Sequence, residues 1–252
     1  MITLYDNTYE GFLTLVYEKY YKKLDINKIE TSISENLLFE DTYEITTDEA
    51  KAKKVLNALR EKFTLKNFNT ITNAFLCDSR NFEIYLLDYI ILGFKSQDNL
   101  KNINNKSVFY LQELEKELFK VAHKMYGFLR FEELEDNTLY ARIDTKFNIL
   151  YFLGKHFTKR LKTSDFIIHD LKRGFAFVKQ NNDVSIRQVA SFDKYTCSND
   201  EEKFKKLWKV FFKSVAIENR KNKKLQQNFV PLIYRTYMSE FGTSHTLNKI
   251  SL

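Results

Sequence analysis

The residues best able to do chemistry in this chain crowd into one stretch, His123 to Phe177, which holds three of its four histidines and three of its six glycines. Its densest cluster is His169-Asp170 with Arg173 three positions on. A carboxylate beside an imidazole can orient it as a general base, and a nearby guanidinium can stabilise developing negative charge. With His156, and with Arg160 in place of Arg173, these residues are the catalytic candidates for a hydrolase acting on nucleic acid. The same Asp170 and Arg173 also suit a turn-stabilising ion pair. His123, His156 and His169 are separated by 33 and 13 residues, which matches no compact metal motif. No metal is expected, and the absence of a Walker loop, GxGxxG, HExxH, GxSxG or a cysteine triad leaves no cofactor expected either.

A second kind of chemistry is phosphate binding. Lys205, Lys209, Lys213 and Arg220 fall at i, i+4, i+8 and i+15, with Lys206 and Lys224 alongside. On a helix this makes a ladder of cations about 6 Å apart, close to the phosphate spacing of a strand. The opposite side carries Phe204, Leu207, Trp208, Phe211 and Val215, so the spacing predicts a helix that packs its apolar face and turns its cations outward. The bland alternative is a solvated lysine face. Fifteen tyrosines and 23 phenylalanines could stack on unpaired bases. Most belong to a core, with Tyr126, Tyr140 and Tyr195 as exposed candidates.

Charge distribution points the same way. The 252 residues carry a net charge of +7, but Arg142 to Lys224 holds 20 Lys/Arg against 9 Asp/Glu, leaving the rest of the chain net acidic. A polyanion-facing second half follows. Two cysteines without partnering spacing, Cys77 and Cys197, favour a reducing compartment. An acidic amino terminus and the lack of any apolar run near the ~20 residues of a membrane span favour a cytoplasmic protein with no membrane partner.

The elements that must position these residues can be read in order. A strand at 2–5 is followed by a helix from Thr8, and residues 28–46 suggest one or two strands around a turn near Glu35-Asn36. Thr47 is the candidate cap of a helix carrying Val55, Leu56 and Leu59. Further helices are predicted over 66–77 and 80–94, the latter apolar nearly all round. Polar Ser96–Ser107 is the best linker, and a long helix from Val108 ends at Gly127. A hairpin of 128–134 and 138–143 comes next, with Tyr140 and Arg142 on its open face. A helix capped by Asp144 runs to Leu161 with Phe147, Leu150, Tyr151, Gly154 and Phe157 inward. Strands at 166–170, 175–179 and 184–190 follow, then a helix from Ser198 to Asn219 started by a Ser198/Glu201 capping box, and a last helix over 224–239. The tail from Gly242 is expected to be loose. The class is α+β, an antiparallel sheet with several packed helices. The chain reads as one unit, 1–252, with possible subdomains 1–100, mostly helical, and 106–241, α+β and basic.

The ordered set Tyr5-Asp6 with Phe12, Thr47-Asp48…Lys51-Ala52, His123-Lys124-x-x-Gly127-Phe128-x-Arg130-Phe131 and His156-Phe157-x-x-Arg160 resembles one bacterial family. So do Ile168-His169-Asp170-x-x-Arg173-x-x-Ala176 and Trp208…Arg220-x-Asn222-x-x-Leu225-Gln226. It is a family of uncharacterised DNA metabolism proteins whose members stand beside a radical-SAM DNA modification or repair protein, and elsewhere are fused to a uracil-DNA-glycosylase-like domain. The chain departs from the family's basic-aromatic run after the proline, having Pro231-Leu232-Ile233-Tyr234 instead. The resemblance implies a context and no catalytic mechanism. A DNA-associated protein is expected, with a radical-SAM protein and a glycosylase-like repair protein as partners. Its nucleic-acid contacts would be Arg130, His156, Arg160, Arg173, Lys205, Lys209, Lys213, Arg220 and Lys224. The alternatives are the His169/Asp170 hydrolase and a protein–protein adaptor marked by a large exposed apolar patch.

Overall fold

Ile2–Leu4 (β1) is buried along its whole length, Ile2 and Leu4 by their apolar side chains and Thr3 between them, and that decides the first sheet. In this computed structural model, which describes residues 1–31, 42–78, 81–189, 196–198, 200–217, 220 and 222–241, β1 is the central strand. Lys28–Glu30 (β2) and Thr42–Glu44 (β3) flank it, and both run parallel to it. The expected hairpin within 28–46 is therefore corrected: its two strands do not pair with each other, because the fully buried strand Ile2–Leu4 takes the doubly covered middle position. The turn near Glu35-Asn36 lies outside the described residues. The connection from β1 to β2 is α1 (Tyr9–Lys22), capped by the Thr8 hydroxyl, which accepts from the Gly11 N–H at 2.9 Å.

The chain divides into two units, Met1–Phe119 and Lys120–Leu252. In the first, α2 (Glu49–Lys62), α3 (Leu65–Phe75) and α4 (Glu83–Lys95) complete the core with Phe12, Leu15, Leu59, Ile71, Leu86 and Ile90, all essentially inaccessible. The α2 cap is Asp48, whose carboxylate accepts from the Ala50 and Lys51 N–H groups. Thr47, the expected cap, instead donates to Asp6 at 2.7 Å. Within 96–107 lie a 3-10 turn at Gln97–Lys101 and the start of α5 (Lys106–Phe128), whose Val108, Leu111, Leu114 and Leu118 are buried. Gly127 is inside that helix.

In the second unit Glu132–Glu133 (β4), Leu139–Ile143 (β5), Phe166–Asp170 (β6), Phe175–Gln180 (β7) and Asp183–Gln188 (β8) form one sheet in chain order. All neighbours are antiparallel except β5 and β6. That exception follows from the connection: α6 (Leu150–Arg160) crosses between them and returns the chain in the same direction. The class is α+β as expected, while the strand pairing is parallel in the first sheet and mixed in the second. Helix α6 lies so close on β7 that a Cβ at Gly154 would come within 2.1 Å of the Phe177 ring. It starts at Leu150 and its first residue has no side-chain cap, so Asp144 does not begin it, and Tyr151 is exposed rather than inward.

Helix α7 (Glu201–Ser214) follows, without a side-chain cap; the Glu201 carboxylate accepts instead from the Glu133 N–H at 3.0 Å. The last predicted helix is two pieces, α8 (Lys223–Phe229) and a 3-10 turn at Leu232–Tyr237, because Pro231 has no N–H to continue the ladder. Among the described residues no helix is long and apolar enough to cross a membrane. Residues 242–252 lie outside the description.

Candidate nucleic-acid interface

The cluster that opened the sequence reading is built by one strand and one turn. Strand alternation sends the consecutive side chains His169 and Asp170 to opposite faces of β6. His169 is almost wholly buried; its Nδ1 lies 3.0 Å from the Tyr140 hydroxyl, and its ring also bonds to the Val189 carbonyl. Burial lowers its pKa, with Asp170 and the Val189 carbonyl working the other way. Tyr140, expected on an open face, is 1 % exposed: it is the hydroxyl partner the histidine needs. Burial pushes its phenol up to about 12.

Asp170 is fully inaccessible and receives the Arg173 guanidinium at 2.9 Å and the Arg173 N–H at 3.3 Å. Burial raises its carboxyl above the ordinary range, while Arg173 pulls it down. Arg173 goes on to donate to the Thr145 and Lys146 carbonyls at 3.3 and 3.1 Å. Gly174, at φ +66°, lets the turn close back onto the Asp170 carbonyl. Arg173 thus ties two loops to the end of β6 and is 10 % exposed as a side chain.

His156 is elsewhere. Its ring stacks on Tyr126 at 4.1 Å and 14°, its Nε2 is enclosed without a hydrogen-bond partner, and burial with Arg160 beside it lowers its pKa. His123 is exposed and meets the same Tyr126 edge-on at 6.2 Å. Two histidines therefore share Tyr126, while the third serves the sheet. Among the described residues no group of three or more His, Cys, Asp or Glu side chains is placed to hold a metal.

The nominated cations fall into two sets. Arg130 makes a paired bond to Glu240, at 2.5 and 3.3 Å, and donates to the Gly127 and Leu129 carbonyls. Burial works to raise the Glu240 carboxyl, but Arg130 and the Trp208 N–H hold it below its ordinary value. Lys205 reaches Glu132 at 2.9 Å and Glu201 at 3.6 Å; burial opposes its charge, and these acids raise its pKa nonetheless. Glu132 also takes Arg142 at 3.2 Å. Arg130, Arg173 and Lys205 are thus engaged inside the protein. Arg160, Lys213, Arg220 and Lys224 are exposed, Lys209 is half-buried, and none of the five side chains forms an ion pair or hydrogen bond among the described residues.

Helix α7 is seated differently from expectation. It rests on the second unit through Glu201, Lys205 and Phe212, the last meeting Phe241 at 5.6 Å. Its apolar stripe faces solvent: Phe204, Leu207, Phe211 and Val215 are 54–64 % exposed and Trp208 39 %. The inward-apolar expectation is corrected, because acids around β4 draw Lys205 under the helix. Of the tyrosines expected to be exposed, Tyr126 is half-buried and Tyr195 lies outside the described residues.

Sequence reasoning missed Lys179. Its ammonium is buried and donates to the carbonyls of Leu161, Lys162 and Ser164 at 3.2, 3.0 and 2.7 Å, closing the C-terminal end of α6. A cation at the carbonyl end of a helix is favourable. The signal was available in Phe175, Phe177 and Lys179, a strand face whose third member is charged. Glu240 carried no such signal, lying 110 residues from Arg130.

No curated relative matches the chain. Residues 80–240 match the model of a family described as a domain of unknown function, DUF4130, which covers well over half of the sequence, and the chain belongs to that family.

Proposed function

We propose that this chain is a DNA-associated partner protein acting in repair or modification beside a radical-SAM protein and a glycosylase-like repair protein. Arg160, Lys209, Lys213, Arg220 and Lys224 are its phosphate contacts. The observation supporting this reading is that these five side chains form no ion pair among the described residues, and all of them lie in the stretch Arg142 to Lys224, where 20 Lys and Arg stand against 9 Asp and Glu. Arg130, Arg173 and Lys205 act one step back, holding the loops and helix that present the others. Five phosphate contacts give a salt slope near −4.5, so affinity for DNA falls about 500-fold between 50 and 200 mM salt. Fluorescence anisotropy with single- and double-stranded oligonucleotides across that range tests it; no binding, or binding indifferent to salt, sinks the reading.

A second reading, a protein–protein adaptor without DNA binding, is favoured by the exposed apolar stripe of α7. Co-purification of partners that survives nuclease treatment, together with a null DNA titration, selects it. The hydrolase reading draws no support from the geometry, since His169 and Asp170 point to opposite faces and are held by Tyr140 and Arg173.

A further inference from the structure

We propose that β8 is a self-pairing edge through which two copies of this chain join into a dimer. Among the described residues β8 ends the five-stranded sheet. It pairs with β7 through six consecutive residue pairs without a bulge, and it carries neither lysine nor proline. Bulges, lysines and prolines are the devices that usually blunt an open edge.

Backbone geometry decides which groups are free. Asn181 and Asn182, at φ 51° and 68°, make the two-residue turn of the β7–β8 hairpin. Gln180 and Asp183, which flank the turn, are then a hydrogen-bonded pair, and bonded and non-bonded pairs alternate along the ladder. The Val189 N–H accordingly bonds to the Gly174 carbonyl. Asp183, Ser185 and Arg187 therefore direct their backbone groups at β7, while Val184, Ile186 and Gln188 turn theirs to the open edge.

The sequence of the strand decides the occupant. An antiparallel partner must set open-edge groups against open-edge groups. With a two-fold axis at Ser185, Val184 of one copy stands beside Ile186 of the other, twice, and Asp183 stands opposite Arg187, twice. Apolar meets apolar and each charge meets its opposite. Moving the axis to Val184 or Ile186 keeps the backbone match but sets Asp183 against Ser185 or Val189, and the charge match is lost. The side chains are available for this pairing. Val184 and Ile186 are 52 and 50 % exposed. Asp183 and Arg187 are exposed, and neither side chain forms an ion pair among the described residues. An unrelated strand would satisfy the hydrogen bonds alone; the matched charges single out a second copy. The pairing is independent of the phosphate contacts proposed above, which lie elsewhere in the chain.

The test follows the full chain by sedimentation velocity as its concentration is raised. A six-residue edge is a small interface, so a weak dimer that grows with concentration is expected. Asp183→Arg sets arginine against Arg187 at both ends and should weaken the dimer about tenfold or more. Asp183→Arg with Arg187→Asp exchanges the charges and should restore it. Both positions are exposed, so circular dichroism should match the parent. At Ser185 the two copies form a non-hydrogen-bonded pair with Cα atoms about 4.5 Å apart, within reach of a disulfide. Under oxidised glutathione, Ser185→Cys should give a linked dimer, and Gln188→Cys, more exposed but away from the axis, should not. A chain that stays monomeric overturns the proposal and leaves the edge to a strand of another protein. So does a dimer indifferent to Asp183→Arg, one that the exchanged pair fails to restore, or equal linking at the two cysteines. Loss of the dimer in Phe204→Ser/Leu207→Ser assigns the contact to α7 and overturns it as well.

Discussion

Around β6 and β7 the buried charges described above all meet partners: Asp170 takes Arg173, and Lys179 takes three carbonyls at the end of α6. Along α7 and α8 the balance is reversed, with aromatic and aliphatic side chains in solvent and the Lys209, Lys213 and Lys224 side chains without an acid partner among the described residues. Both regions mix apolar and basic residues. What separates them is whether the chain itself supplies the complement, and a region that lacks its complement is where something from outside can add free energy.

That contrast can be broken most easily at Arg173. Arg173→Ala leaves the Asp170 carboxylate buried without its counter-ion, and a loss of about 3–5 kcal/mol is expected in urea unfolding. A loss under ~1 kcal/mol would mean that Asp170 is not held as described, and the contrast with α7 would collapse.

A smaller effect comes from pH. Burial sets the folded pKa of His169 below its ordinary 6.5, so the unfolded chain takes up the proton more readily. Stability is then fully present above pH 6.5 and is lost as pH falls toward the folded value, by at most about 1.4 kcal/mol per pH unit for this group. His156 is shifted the same way and adds to the slope. Unfolding measured from pH 7.5 to 5 should show a shallower fall in His169→Asn; an unchanged profile would separate His169 from the effect.

The smallest response is expected on α7. Phe204→Ser with Leu207→Ser should change stability by no more than about 0.5 kcal/mol, because both side chains already stand in solvent. A loss of several kcal/mol would show that the stripe is packed in solution and would erase the contrast from the other side.

The sequence makes some of this legible and hides the rest for physical reasons. The β6–β7 hairpin, Gly174 in its turn and the inner stripe of α6 follow from local periodicity and turn chemistry. The central placement of β1 does not, since alternation in 28–46 says that strands exist and not which partner they choose. The α7 pattern was equally clear as a pattern. It tells which side of a helix is apolar, and only the acids of β4 and the Glu133 N–H settle which side is covered. Arg130 was nominated from the motif His123 to Phe131, and its carboxylate partner lies too far along the chain for any local rule to find.

The arrangement of the first sheet has a consequence in time. Its middle strand is Ile2–Leu4, and its neighbours are Lys28–Glu30 and Thr42–Glu44, which pair with it and not with each other. As the polypeptide is made from its amino end, the segment that must end up innermost is made before both of its partners. Its first neighbour follows after about 25 residues and its second only after about forty. Closing such separated parallel contacts is slow compared with forming a helix, so α1 is expected to form early and wait for the sheet. A fusion that stiffens or crowds the first five residues would then delay folding of this unit more than one placed at any of its helix ends.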